Sequence, residues 1–208
     1  AGSIFHAHLV EHLVKTLGVA IDSVTLWAPA CRMDLFESHY LPHIAPPGGA
    51  AGSVARVRQF HLYTLADKTE QDDHCARIYN KSLLYLVSNA FEKDRETPLL
   101  GMAKFAEKHT ALQALLATNH ASWVQAPTAK SAPVAKASEA TAHGAFDDDE
   151  KTLVSTLTKI LGRAPLPAGG SSKNGARFNF RRSASSLRDQ RLRARVRDRP
   201  EHGGRLRD

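Results

Sequence analysis

The chain has 208 residues, with 28 Lys and Arg against 21 Asp and Glu, and two cysteines. This length allows one ordinary domain with a tail, and the cysteines, Cys31 and Cys75, are too few and too far apart for a disulfide framework or a zinc ribbon. No apolar run approaches the roughly 20 residues of a membrane span, and the N-terminus lacks the features of a signal peptide. We therefore expect a soluble, cytoplasmic protein.

The positive charge is concentrated at the C-terminus. Positions 171–208 contain twelve basic and four acidic residues, which leaves 16 basic and 17 acidic residues for positions 1–170. Apolar residues are sparse in this segment, so burial cannot offset the entropy of ordering it. We expect a disordered arginine-rich tail over 163–208. It is either an arm that neutralises nucleic-acid phosphates or an unselected sequence read from a shifted frame in GC-rich DNA.

The first elements are a helix and two strands. Apolar residues recur at three- and four-residue steps over residues 4–17, which predicts a helix that ends at Gly18. No N-cap residue precedes it, so we expect the chain to begin inside a structural unit. Residues 24–28 and 58–65 predict strands, and residues 32–40 between them predict a short helix or a loop.

Three helices are predicted before the next strand. Asp72 and Asp73 are residues typical of a helix start, and the apolar stripe that follows them predicts about five turns ending near Ala90. Thr97 followed by proline predicts another helix that runs through Lys104. A short helix is predicted over residues 111–117.

The last part of the body contains a strand, a loop and a terminal helix. Residues 122–126 predict the third strand, and residues 127–142 predict a flexible surface loop. Asp147 with Glu150 predicts a capping box, and Gly162 predicts the end of the helix. The order of the elements predicts an α/β fold with a parallel sheet and helices on both faces. Three strands make a thin sheet, so we expect its first half to lie outside this sequence.

Chemistry in such folds occurs at the carboxyl ends of the strands. Three candidates stand there in the sequence: Asp34 after the first strand, Asp67 after the second, and His143 after the third. A histidine on a loop beside Gly144 suits a general base, because its pKa lies near neutrality.

Three segments resemble the C-terminal part of the α/β hydrolase family, beginning just after the nucleophile elbow. The resemblance covers residues 1–162. In that family the nucleophilic serine lies in a Gly-x-Ser-x-Gly turn, and an acid and a histidine follow it along the chain. The resemblance implies that the nucleophile directly precedes Ala1, whose backbone N–H would belong to the oxyanion hole. The matching segments are Ala1-Gly-Ser-Ile-Phe5, Thr25-Leu-Trp-Ala-Pro-Ala30 and Thr141-Ala-His-Gly-Ala-Phe-Asp147.

The resemblance also implies a function. It implies a serine hydrolase that acts on a small-molecule ester, thioester or amide, with His143 as base and Asp67 as the acid that orients it. Asp34, Asp72 and Asp73 remain alternatives for the acid. The chain alone is expected to be inactive because it lacks the nucleophile. The rival interpretation is a nucleic-acid-binding protein that acts through the basic tail, with the hydrolase-like body as its scaffold.

Other polar residues on the first helix are expected to be structural. Ser3 lies one helical step beyond the elbow, on the wrong side for attack. His8 and His12 have an i,i+4 spacing that can bind a metal, but no HExxH glutamate accompanies them. We expect neither a metal site nor a cofactor.

Overall fold

A computed structural model describes residues 2–44, 56–75 and 79–165. Its sheet has three parallel strands in the order β1-β2-β3, which confirms the predicted pairing. Each strand begins one to three residues earlier than predicted. The predicted tail lies outside the described residues from position 166 onward. The strands are β1 Ile21–Trp27, β2 Val57–Leu65 and β3 Ala121–Ala126.

The central strand β2 determines how the layers pack. Its last six side chains, residues 60–65, are all buried, as is typical of a parallel strand covered on both faces. Phe60 and Leu62 pack in a core with α-helical residues on one face, while Tyr63 and Leu65 pack in a second core on the other. The structure therefore confirms an α/β arrangement with helices on both faces.

Helices and short turns connect these strands. None of the helices in the described ranges is both long and apolar enough to cross a membrane. The α-helices are α1 Gly2–Glu11, α2 Met33–His39, α3 Asp67–Asp72, α4 Leu83–Leu86, α5 Ala103–Ala106, α6 Thr110–Leu116 and α7 Glu150–Leu161. Helix α1 continues as a π-helical turn over His12–Thr16, and α4 does so over Val87–Phe91. The 3-10 turns are Leu41–His43, Val134–Lys136 and His143–Ala145.

Two of the predicted helices are wrong. Helix α3 ends at Asp72 instead of a helix starting there, because the Ser82 backbone N–H donates to the Glu70 carbonyl at 2.9 Å and turns the chain back. Residues 97–102 are not helical either. The Pro98 carbonyl accepts a hydrogen bond from the Met33 backbone N–H at 3.0 Å, so this stretch is held against α2.

Helix α1 buries only part of the predicted apolar stripe. Its buried side chains are Ala7 and Val10, and Val14 follows in the π-helical turn. Phe5 is 73% exposed and Leu17 is 59% exposed. The helix packs against α2, and its buried residues share a core with residues of β1 and β2, so its other apolar residues are left more exposed among the described residues.

Helix α7 is capped by Asp149 and not by Asp147. The Asp149 carboxylate accepts hydrogen bonds from the Thr152 backbone N–H at 3.0 Å and from the Glu139 backbone N–H at 2.8 Å. The second bond joins the cap to the loop that precedes the helix. The Asp147 side chain makes no such bond among the described residues. Gly162 ends the helix with φ of 66°, as predicted.

The backbone of Gly101 lies close to the chain that follows β1, and a side chain there would destabilise the fold. Gly101 donates its N–H to the Pro29 carbonyl at 2.9 Å, and a Cβ on Gly101 would lie 2.5 Å from that oxygen. We expect Gly101→Ala to lower the free energy of unfolding by at least about 2 kcal/mol. Gly144→Ala is the control, because a Cβ there meets no atom within 4 Å. Equal urea-unfolding midpoints for the two variants would contradict this.

Candidate functional site

The carboxyl ends of β2 and β3 lie side by side. Leu65 is paired with Ala126, and the Ala66 backbone N–H donates to the Ala126 carbonyl at 2.8 Å. The segment that follows β2 and the loop that follows β3 therefore leave the sheet at the same edge. This is the edge at which α/β folds bind their ligands.

The loop after β3 is held by hydrogen bonds near its ends. The Thr128 N–H and hydroxyl both donate to the Ser138 carbonyl, at 2.7 and 2.9 Å, and the Ser138 N–H donates back to the Thr128 hydroxyl at 3.0 Å. The buried Ser138 hydroxyl also contacts the Thr152 hydroxyl of α7 at 2.7 Å. These bonds set the point from which the chain turns into His143.

His143 meets the segment after α3 through Asp73. The His143 backbone N–H donates to the Asp73 carboxylate at 2.9 Å, and the other oxygen of Asp73 accepts the His74 N–H at 2.7 Å. The Nδ1 atom of His143 is buried and has no hydrogen-bond partner among the described residues. Burial lowers the pKa of His143, and the negative charge of Asp73 opposes this effect.

Asp67 makes different contacts. One carboxylate oxygen accepts a hydrogen bond from the Tyr85 hydroxyl at 2.7 Å, and the other accepts one from the Gln71 side chain at 2.6 Å. In the described ranges no hydrogen bond joins Asp67 to His143. Asp67 therefore ties the start of α3 to α4.

Glu70 is a buried carboxyl group that the sequence analysis did not single out. It is fully buried in α3, and the Ser82 hydroxyl donates to one of its oxygens. Burial raises the pKa of Glu70 to about 7; Ser82 lowers it, and the charges of Asp73 and Asp67 raise it further. A signal was present in the sequence, because Asp67 and Glu70 are three residues apart and so share one side of α3.

The remaining candidates lie apart from His143. Asp34 is exposed and pairs with Arg32, whose Nε donates to it at 2.9 Å. Asp72 is exposed at the end of α3, and Ala1 lies outside the described residues. Ser3 lines a cleft of about 430 Å³ between α1 and β1. Other residues of this cleft include His6, Thr25, Trp27 and Thr156.

Comparisons with family models, with curated proteins and with solved structures returned no match for this chain.

The buried carboxyl of Glu70 predicts an unusual dependence of stability on pH. The folded-state pKa of about 7 lies above the ordinary value of 4.5, so the folded state holds a proton that the unfolded state releases. Stability from this group is therefore present below pH 4.5 and is lost as pH rises to about 7, by about 3 kcal/mol. We expect Glu70→Gln, which still accepts from Ser82, to be more stable than the wild type at pH 8 but not at pH 4.

The measurement is urea unfolding of both proteins at several pH values, because their difference isolates Glu70 from the other titrating groups. Glu150→Gln is the matched control, since Glu150 is exposed in the first turn of α7. A constant difference between wild type and Glu70→Gln from pH 4 to 8 would show that Glu70 is not a buried acid.

Proposed function

We propose that this chain carries the acid–base residues of an α/β-hydrolase-type serine hydrolase. The observation that carries the proposal is the buried Nδ1 of His143, unpartnered among the described residues, in a residue whose backbone N–H bonds to the Asp73 carboxylate. Asp73 and His143 lie on the chain segments that follow the paired strands β2 and β3. Buried polar atoms without partners are uncommon in folded proteins, and a catalytic role is one of the explanations for them. The motif around His143 and the order acid then histidine support the same function.

The proposed chemistry assigns one task to each ring nitrogen of His143. Nε2 takes the proton of a serine hydroxyl as that oxygen attacks the substrate carbonyl, and it returns the proton to the leaving group. Nδ1–H donates to a carboxylate, which keeps the ring oriented and stabilises its charged form. The substrate class is an ester, a thioester or an amide of a small molecule.

Asp73 is our proposal for the carboxylate. It already contacts the backbone of His143, and its charge raises the pKa of the ring. Asp67, the acid expected from the sequence, bonds to Tyr85 and Gln71 and makes no hydrogen bond to His143 among the described residues. In this proposal Asp67 instead holds α3, the helix directly before Asp73, in place.

In this proposal the nucleophile is a serine that is not among these 208 residues, as the resemblance implies. Among the described residues no hydroxyl or thiol forms a hydrogen bond with the ring of His143. Ser3 faces the cleft beside β1, with its hydroxyl buried and without a hydrogen-bond partner there.

The pairing of His143 with Asp73 is testable by titration. We expect Asp73→Asn to lower the pKa of His143, because the substitution removes the charge that favours the protonated ring. Asp67→Asn should leave that pKa unchanged. The measurement is an NMR titration of the histidine rings, with the His143 signal assigned by its loss in His143→Ala. If the pKa of His143 changes in Asp67→Asn but not in Asp73→Asn, Asp67 is the acid instead.

We also expect the 208-residue chain to show no triad-dependent turnover. A triad without its nucleophile retains only substrate positioning and oxyanion donors. The measurement compares hydrolysis of a panel of activated esters by wild type, His143→Ala and buffer, and the three rates should agree. Turnover that His143→Ala abolishes would overturn this expectation. Ser3→Ala would then test whether Ser3 is the nucleophile.

A further inference from the structure

A cluster of two histidines and a glutamate lies between α1 and α2, away from the strand ends. His8 and Glu11 are three residues apart on α1 and therefore share a helix face. His39 is the last residue of α2. One possible ligand atom from each residue lies within 4.8 Å of those from the other two.

The hydrogen bonds of Ser38 determine which ring nitrogen of His39 carries the proton. The Ser38 hydroxyl lies 2.7 Å from the Asp34 carbonyl oxygen, which can only accept, so the hydroxyl proton points there. The Ser38 oxygen also lies 2.7 Å from His39 Nδ1. Because its proton is already used, it accepts from Nδ1–H. In the neutral ring, Nε2 therefore presents a lone pair.

That lone pair faces Glu11. The distance from His39 Nε2 to Glu11 Oε2 is 3.1 Å. Two acceptor atoms at this distance require a cation between them, either a proton on Nε2 or a metal ion. Tetrahedral zinc with bonds of about 2.0–2.1 Å places its ligands roughly 3.3 Å apart, which is close to the observed separation.

We propose that His8, Glu11 and His39 bind a divalent metal ion of the zinc class. Two imidazoles and one carboxylate are a ligand set that zinc accepts, with a fourth position open to water. The other oxygen of Glu11 accepts from Lys15, which leaves Oε2 for the metal. Ser38 orients His39 in the way that hydrogen-bonded neighbours orient metal-ligating histidines.

The ligand set in the structure differs from the pair of His8 and His12 that the i,i+4 spacing suggests. His12, four residues after His8, is exposed and does not belong to the cluster. The third ligand comes from α2 instead. A metal bound here joins α1 to α2, so its binding stabilises the folded chain.

The experiment titrates the full chain with Co²⁺ and follows its visible absorption, and then displaces Co²⁺ with Zn²⁺. We expect a saturable site with the absorption of low-coordinate Co²⁺, and a higher Tm with excess Zn²⁺. His8→Ala, Glu11→Gln and His39→Ala should each weaken binding at least about tenfold, and Ser38→Ala should weaken it by about tenfold. His12→Ala is the matched control and should bind as the wild type does.

Far-UV circular dichroism of each variant verifies that it is folded. If a histidine variant does not fold, Glu11→Gln and Ser38→Ala test the site in its place. Two results overturn the proposal. In the first, Co²⁺ shows no saturable binding, which leaves only a His39–Glu11 ion pair. In the second, His12→Ala weakens binding as much as His8→Ala does, which indicates non-specific surface histidines.

Discussion

The parallel pairing of β2 with β1 and β3 is the constraint on which the rest of the structure depends. It buries β2 on both faces and aligns the carboxyl ends of the strands at one edge. Because Leu65 lies beside Ala126, the acidic segment after β2 and the loop after β3 emerge next to each other. The contact between Asp73 and His143, 70 residues apart in the chain, is a consequence of this pairing.

The attachment of α7 to the sheet is polar. Its buried side chains are hydroxyl-bearing, and the Tyr63 hydroxyl contacts Ser155 at 2.7 Å while the Trp27 indole N–H donates to Thr156 at 3.2 Å. Lys159 lies over the Tyr63 ring at 4.5 Å, and burial lowers its pKa to about 8. Such hydrogen bonds require defined positions for both partners. They hold α7, and through its Asp149 cap the loop that leads to His143, in one register.

Two separate chemical arrangements therefore occupy different parts of the fold. Beyond the strand ends, the segment that carries Glu70 and Asp73 contacts the chain that carries His143, and the charge of Asp73 raises the pKa of both Glu70 and His143. Between α1 and α2, the ligand set depends instead on helix packing, since His39 comes from a different helix than His8 and Glu11. In the first arrangement, burial is the main cause of the pKa shifts of Glu70 and His143. In the second, the side chains remain accessible to solvent, and the positions of the three ligand atoms matter most.

The sequence by itself determined the three strands, their parallel order and the end of α7 at Gly162, because runs of β-branched residues and a C-terminal glycine act locally. It also predicted that His143 follows the third strand after a long loop. Only the tertiary structure decided that α3 ends before Asp73, because the bond from Ser82 to Glu70 comes from twelve residues away. The same holds for the burial of Glu70 and the choice of Asp73 as neighbour of His143. Local propensity cannot decide such outcomes, since desolvation and partners depend on chain segments that meet only in the fold.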